Sequence, residues 1–261
     1  MNYDLSIIIP CYNHGIYLQD AIDSIIKIST HYSFEIIIIN DGSNDSFTLQ
    51  KLAELQSAGL IVINQSNKGL AAARNNGINL AKGKYIIPLD SDNKLHQNYL
   101  TSAIDILESN TNISIVFGNR YMFGEEERMI APGEFKLPKL INSNYIDACA
   151  VYRKSIWQSV GGYDGNMPAM GHEDWDFWIT IALSGGKFYY LNKLCFYYRV
   201  TNHSMRLNIS NPNFEANKEY IIKKNSHFFY LFYKSNWKKI EYMKSHQIKA
   251  GINLIFGKLG V

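Results

Sequence analysis

Asp90 and Asp92 stand two residues apart, directly after the apolar run 85–89. On an extended backbone, residues i and i+2 point the same way. Two carboxylates on one side suit a hard divalent cation such as Mg²⁺ or Mn²⁺, and that cation bridges phosphate oxygens. A solvated turn made of Asp and Ser explains the same Asp90-Ser91-Asp92 equally well. Asp41-Gly42-Ser43 closes another apolar run, 34–40. Its carboxylate suits a base or ribose, and a turn or helix cap accounts for it too.

Residues 67–77 read NKGLAAARNNG. Gly69 opens an alanine-rich helix, whose small residues permit close packing or a ligand's approach. Arg74 suits a phosphate or sugar, against the plainer reading of a surface arginine on a good helix. Residues 171–176 read GHEDWD. Acidic groups favour a helix's first turn, yet three carboxylates beside Trp175 and Trp178 exceed what a cap requires. One of them can be a general base towards a hydroxyl. His203 is a candidate metal ligand or phosphate contact; a lone histidine is more often structural.

The elements that must position these residues alternate. Strand-like runs at 5–10, 34–40, 60–64 and 85–89 are separated by helical periods at 15–29, 47–57 and 70–81. Such alternation predicts an α/β fold with a mostly parallel sheet flanked by helices. Ligands of such sheets sit beyond the carboxyl ends of the strands, where Pro10, Tyr12, Asn13, Asp41, Lys68, Gly69, Asp90, Ser91 and Asp92 fall. A helix at 97–109 and a strand at 113–117 follow. Residues 119–146 read as loop from Glu125–Glu127, Pro132, Gly133 and Pro138. Then come a strand at 148–152, a helix at 173–183 and strands at 188–191 and 196–199.

The chain has 261 residues, 46% apolar and 19% charged, enough for a sizeable core and far from a disordered composition. The net charge of +3 hides a split. Residues 214–261 hold nine Lys and three Glu among many aromatics; residues 1–213 carry a balance of −3. The expected organisation is a catalytic domain over 1–213 and a basic, aromatic helical extension over 214–261. That extension suits an anionic membrane surface or packing on the domain or on a second subunit. So small a net charge does not by itself argue for nucleic acid, and no nucleic-acid partner is expected. Cys11, Cys149 and Cys195 form no metal pair or disulfide framework, which fits a reducing compartment. With no signal peptide or membrane span in the sequence, the expected location is cytoplasmic or at the inner face of the cell membrane. No dinucleotide glycine fingerprint, Walker A loop, zinc-protease motif or nucleophile elbow is present.

Four blocks in order, SIIIPCYNHGIYLQDAIDSI, EIIIINDGSNDS, NKGLAAARNNGINLAKGKYIIPLDSDN and GGYDGNMPAMGHEDWDFWI, resemble family 2 glycosyltransferases of the GT-A fold. The resemblance covers about residues 4–205. It implies inverting transfer of a sugar, most often UDP-linked, to a hydroxyl of a glycan or lipid-linked acceptor in surface polysaccharide synthesis. By position it implies that Pro10, Tyr12, Asn13 and Asp41 hold the nucleoside and that Arg74 lies near the ribose or diphosphate. Asp90 would be near the ribose and Asp92 on Mn²⁺ or Mg²⁺, with Asp90 and His203 as further metal candidates. Lys68, Gly69 and Ser91 join the nucleotide-sugar site. Asp174 matches the family's base, with Glu173 as the lesser candidate. Asn40 departs from the family's usual Asp. Residues 119–146 and 161–172 are expected to flank the acceptor, with His172 and Trp175 on its side and Trp157 and Trp178 as further stacking candidates. The alternatives are a non-catalytic nucleotide-sugar-binding module on the same fold and, ranked lower, a nucleotidyltransferase.

Overall fold

The computed structural model describes residues 3–201 and 212–234. The chain divides into two compact units between Phe214 and Glu215, and each is described by itself.

The first unit is a sheet with helices packed on it. Strands β1 (Leu5–Cys11), β2 (Phe34–Asp41), β3 (Ile61–Gln65) and β4 (Tyr85–Pro88) pair parallel in the order β3-β2-β1-β4. The connections are α1 (Gly15–Ile26), α2 (Ser46–Ser57) and α3 (Leu70–Leu80). All seven residues of β1 are buried, as a central parallel strand covered on both faces requires. Each of its isoleucines contributes about 1.5–3 kcal/mol by leaving water.

Helix α3 lies close on this sheet because Gly77 lets it. A Cβ at Gly77 would come within 2.5 Å of Ile8 Cγ2. The small residues therefore serve helix-to-sheet packing, and Ala73 is buried on the same face.

The second half of the sheet continues as β8-β6-β9-β5. Short β8 (Val151–Arg153) joins the halves, pairing antiparallel with both β4 and β6 (Ile113–Gly124). Long β6 runs parallel to β9 (Lys187–Val200), and β5 (Lys94–Leu95) is antiparallel to β9. Over its length the pairing is mostly parallel. Helices α4 (Tyr99–Ser109), α5 (Leu137–Asn142), α6 (Lys154–Val160) and α7 (Glu173–Leu183) complete this unit.

Three expectations need correction. Residues 119–146 are not one loop: β6 runs to Gly124, turns through 125–127 into β7 (Arg128–Ile130), and α5 follows. The glutamates mark the hairpin turn, and Pro138 sits in the first turn of α5, where a missing N–H costs nothing. The two strands expected at 188–191 and 196–199 are one, because β6 pairs along nearly the whole length and absorbs the interruption as irregularities in register. Helix α6 was not expected at all; its seven residues include none that is fully buried.

The tail expected to be helical begins with α8 (Pro212–Lys224). Residues 226–234 are helical again. No described helix is long and apolar enough to cross a membrane.

Candidate active site

The strand order sets the location. The chain winds outward from β1 to β3 and then returns to the other side of β1 to lay down β4. Beyond the carboxyl ends of β1 and β4 the connections diverge and leave a crevice. A cavity of about 470 Å³ lies there, within the usual range for small-molecule sites. Pro10 and Tyr12 line it from β1, Asp41 from β2, Asn67 and Gly69 from the β3–α3 loop, and Asp90, Ser91 and Asp92 from β4.

The two aspartates reach it on a turn. β4 ends at Pro88, and the Asp90 carbonyl accepts from the Asn93 N–H at 2.9 Å. Of the two backbones the sequence allowed for Asp-Ser-Asp, the extended one is corrected and the turn is the one present. Arg199 of β9 holds this turn from behind, its Nε donating to the Asp92 carbonyl at 3.0 Å. The Arg199 N–H donates to Asn93 Oδ1 at 2.9 Å. Burial, and then the neighbouring Asp90 charge, push the Asp92 carboxyl up to about 7.

Asp41 anchors the opposite wall. Its Oδ1 accepts from Gln65 Nε2 at 2.7 Å and from the Lys68 N–H at 2.8 Å; its Oδ2 accepts from the Gly69 N–H at 2.9 Å. The carboxylate thus ties the β3–α3 loop to the sheet and still lines the cavity. Gly69 has φ +84 with open space where a Cβ would be, so glycine serves the backbone conformation. The Lys68 side chain is exposed. Asn40 explains its own departure from Asp: it donates to Asn64 Oδ1 at 2.9 Å and accepts from the Ser43 N–H at 2.9 Å. An ionised carboxylate could only accept. Asn13 lies outside the cavity lining, and its side chain braces Asn44 and Asp45.

Arg74 is not a surface residue. It is 1% exposed and lies between two carboxylates, Nη1 on Glu173 Oε1 at 2.6 Å and Nη2 on Asp90 Oδ1 at 2.7 Å. Burial disfavours its charge, but Asp90 and Glu173 outweigh that and hold it firmly protonated. The pair of bonds joins the β4 turn to the start of α7, 99 residues apart from Arg74 in sequence.

At that start Glu173 faces inward to Arg74, and Asp174 is half-buried. Asp174 Oδ2 accepts from Asn144 Nδ2 at 2.9 Å. Burial, followed by the adjacent Glu173, pushes its carboxyl up to about 7. His172 has φ +65 and packs against the Trp175 and Phe214 rings. The tryptophans do other work than stacking on sugars. Trp175 is 3% exposed and donates to the Leu140 carbonyl; Trp178 is fully buried and donates to the Ile146 carbonyl. Trp157 is half-buried and bonds Asn75. The stacking expectation for Trp175 and Trp178 is corrected, since a covered ring has no face to offer.

His203 lies outside the described residues. Among the described residues, no cluster of three or more His, Cys, Asp or Glu side chains could hold a metal on its own. Asp92 and Asp90 offer hard oxygen donors at the cavity wall. Two neighbouring carboxylates, one of them held partly protonated, fit a cation that also takes phosphate oxygens.

Several lining residues gave no signal in the sequence. His14, Tyr17, Met170, Tyr198 and Thr201 face the cavity. His14 Nδ1 lies 3.4 Å from Ser91 Oγ, and burial holds its pKa down against the pull of Asp90 and Asp45. Cys11 also lines the cavity, but burial pushes its thiol up to about 11, which leaves it a poor nucleophile at neutral pH.

Comparison with known proteins places this geometry. Residues 6–161 match the model "Glycosyl transferase family 2". Glycosyltransferase GlyA of Streptococcus pneumoniae is 37% identical over 128 residues, which are 48% of this chain and 18% of that one. The chondroitin synthase of Pasteurella multocida is 28% identical over 224 residues, 84% of this chain and 22% of that one. The chain thus spans well under half the length of these curated relatives. Among solved structures, S. aureus TarS 1–349 in complex with UDP-GlcNAc superposes with a TM-score of 0.64 at 18% identity, covering 80% of this chain and 61% of that one. That likeness gives the GT-A fold. With more than half of its residues inside the family match, the chain belongs to glycosyltransferase family 2.

Proposed function

We propose that this chain transfers a sugar, with inversion, from a UDP-linked donor to a hydroxyl of a glycan or lipid-linked acceptor in cell-surface polysaccharide synthesis. The observation that carries the reading is the Arg74 bridge. It ties Asp90, in the wall of a donor-sized cavity, to the helix that presents Asp174. Donor binding and deprotonation of the acceptor then share one rigid frame. UDP-GlcNAc, bound in the TarS neighbour, is the first donor to try.

Inversion needs a single in-line displacement. Asp174 takes the proton of the attacking hydroxyl, and a base with a pKa near 7 is matched to that task. Asp92, with Asp90 beside it, would hold Mn²⁺ or Mg²⁺, which when bound offsets the charge gathering on the leaving diphosphate. Pro10, Tyr12 and Asp41 line the nucleoside end of the cavity, while the β3–α3 loop forms its side through Asn67 and Gly69. No protein nucleophile is required. The exposed Tyr230, Leu231 and Tyr233, with Lys223, Lys224 and Lys234, support attachment of the tail to an anionic membrane surface.

The test is Asp174→Asn. Transfer from UDP-GlcNAc and related donors should be lost, with UDP binding retained by calorimetry. Normal turnover would remove Asp174 from the mechanism. Absence of turnover in the parent chain with every UDP-sugar, alongside tight UDP binding, would favour a non-catalytic binding module.

A further inference from the structure

Asn144 stands in the loop between α5 and β8, a segment with no chemical motif in its sequence. Its Nδ2 donates to Asp174 Oδ2 at 2.9 Å. Ionised, as a base must be, the Asp174 carboxylate only accepts, so in that state this bond fixes which way the amide faces. That orientation leaves Asn144 Oδ1 buried without a hydrogen-bond partner. Buried orphans of this kind are rare, and each asks for an explanation.

The loop is also held more firmly than a connector needs. Trp175 donates to the Leu140 carbonyl at 2.6 Å, and Trp178 donates to the Ile146 carbonyl at 3.1 Å. These two bonds pin the chain on either side of Asn144, and both come from the helix that carries Asp174. The acidic residue and its amide partner are therefore mounted on one unit. Leu140, Ile141 and Ile146 are buried beneath it.

We propose that Asn144 is a positioning residue for sugar transfer: its amide holds the Asp174 carboxylate in one orientation and leaves a fixed set of lone pairs for the acceptor hydroxyl. The proposal rests on Asp174 being the base. The charged and titratable groups around Asp174 are Glu173 on its own helix, Arg74 on α3, Asp147 before β8 and Tyr163 after α6. Glu173 and Asp147 disfavour its ionised form, and Arg74 and the Asn144 bond favour it. Asp174 Oδ1 also accepts from the Trp175 N–H at 2.8 Å. The amide is thus the side-chain donor on the other oxygen, and removing it removes part of what keeps the base ionised.

The experiment is the pH–rate profile of full-length Asn144→Ala, with the donor KM and UDP affinity measured alongside. The acid limb of kcat should move up by about one pH unit, the size that one charge-assisted hydrogen bond carries. UDP affinity should stay within about twofold of the parent, because neither Asn144 nor Asp174 lines the donor cavity. Asn144→Asp keeps the shape, replaces the donor by a second carboxylate, and should move the limb further in the same direction; it serves if the alanine variant misfolds. A purely structural role would lower the urea midpoint and leave the limb in place. An unmoved limb in the folded variant overturns the proposal. If Asp174→Asn is inactive while that limb stays put, this proposal alone fails; if Asp174→Asn is active, the underlying reading fails.

Discussion

Arg74 allows a quantitative test of how the site is held together. Replacing it with methionine keeps the bulk and removes the charge. Two carboxylates then lose their partner, but unequally. The Glu173 side chain is 6% exposed and the Asp90 side chain is 33% exposed. Stranding a buried charge costs about 3–5 kcal/mol. A pair open to water contributes about 0–1 kcal/mol, so the Glu173 contact dominates. Arg74→Met should therefore lose about 3–5 kcal/mol, a large part of the roughly 5–15 kcal/mol that holds a domain folded. Urea unfolding, read by far-ultraviolet circular dichroism and extrapolated linearly, measures it. Adding Glu173→Gln removes the stranded charge and should recover more than about 1 kcal/mol, a coupling that a double-mutant cycle isolates. Arg74→Lys should fall between, because an ammonium cannot fork across two carboxylates. A loss below about 1 kcal/mol in Arg74→Met, or strict additivity in the cycle, would show that the bridge does not carry the site.

Three further outcomes follow from the same geometry. The Asp174 carboxyl is raised from 3.8 to about 7, and a base works only when deprotonated. Turnover should therefore fall about tenfold per pH unit below that value and level off above it, and a flat profile between about pH 5 and 8 would refute the assignment. Asp92→Ala should weaken UDP binding in calorimetry only when Mn²⁺ or Mg²⁺ is present; the same loss without metal would point to a direct contact instead. Lys223, Lys224 and Lys234, all exposed, should each contribute about 1 kcal/mol towards an anionic surface. Their combined change to Gln should lower co-flotation with phosphatidylserine vesicles, and unchanged flotation would leave the tail a packing or assembly role.

What could be read in the sequence follows the range over which each signal acts. β1, β2 and α3 were legible within a residue or two, because burial on both faces writes a continuous apolar run and helix packing writes small residues at fixed spacing. The Asp-Ser-Asp segment was legible as a candidate site at a strand's end, with extended backbone and turn both open, since the bond from the Asn93 N–H that closes the turn depends on where β4 stops. β6 beyond Phe117 was hidden because polar Asn119 and Arg120 take their place in the sheet from pairing with β9, more than seventy residues away. Arg74 illustrates the limit most clearly. Its helix, its charge and its neighbours were all plain in the sequence, and they fit an exposed side chain as well as a buried one. Only the folded chain brings Asp90 and Glu173 to opposite ends of its guanidinium. Asn144 is the extreme case, a single amide in an unremarkable loop. Its relation to Asp174 depends on two tryptophans whose aromatic surface suggested sugar stacking. Their indole N–H groups needed partners once buried, and the carbonyls they found fix the loop that reaches the candidate base.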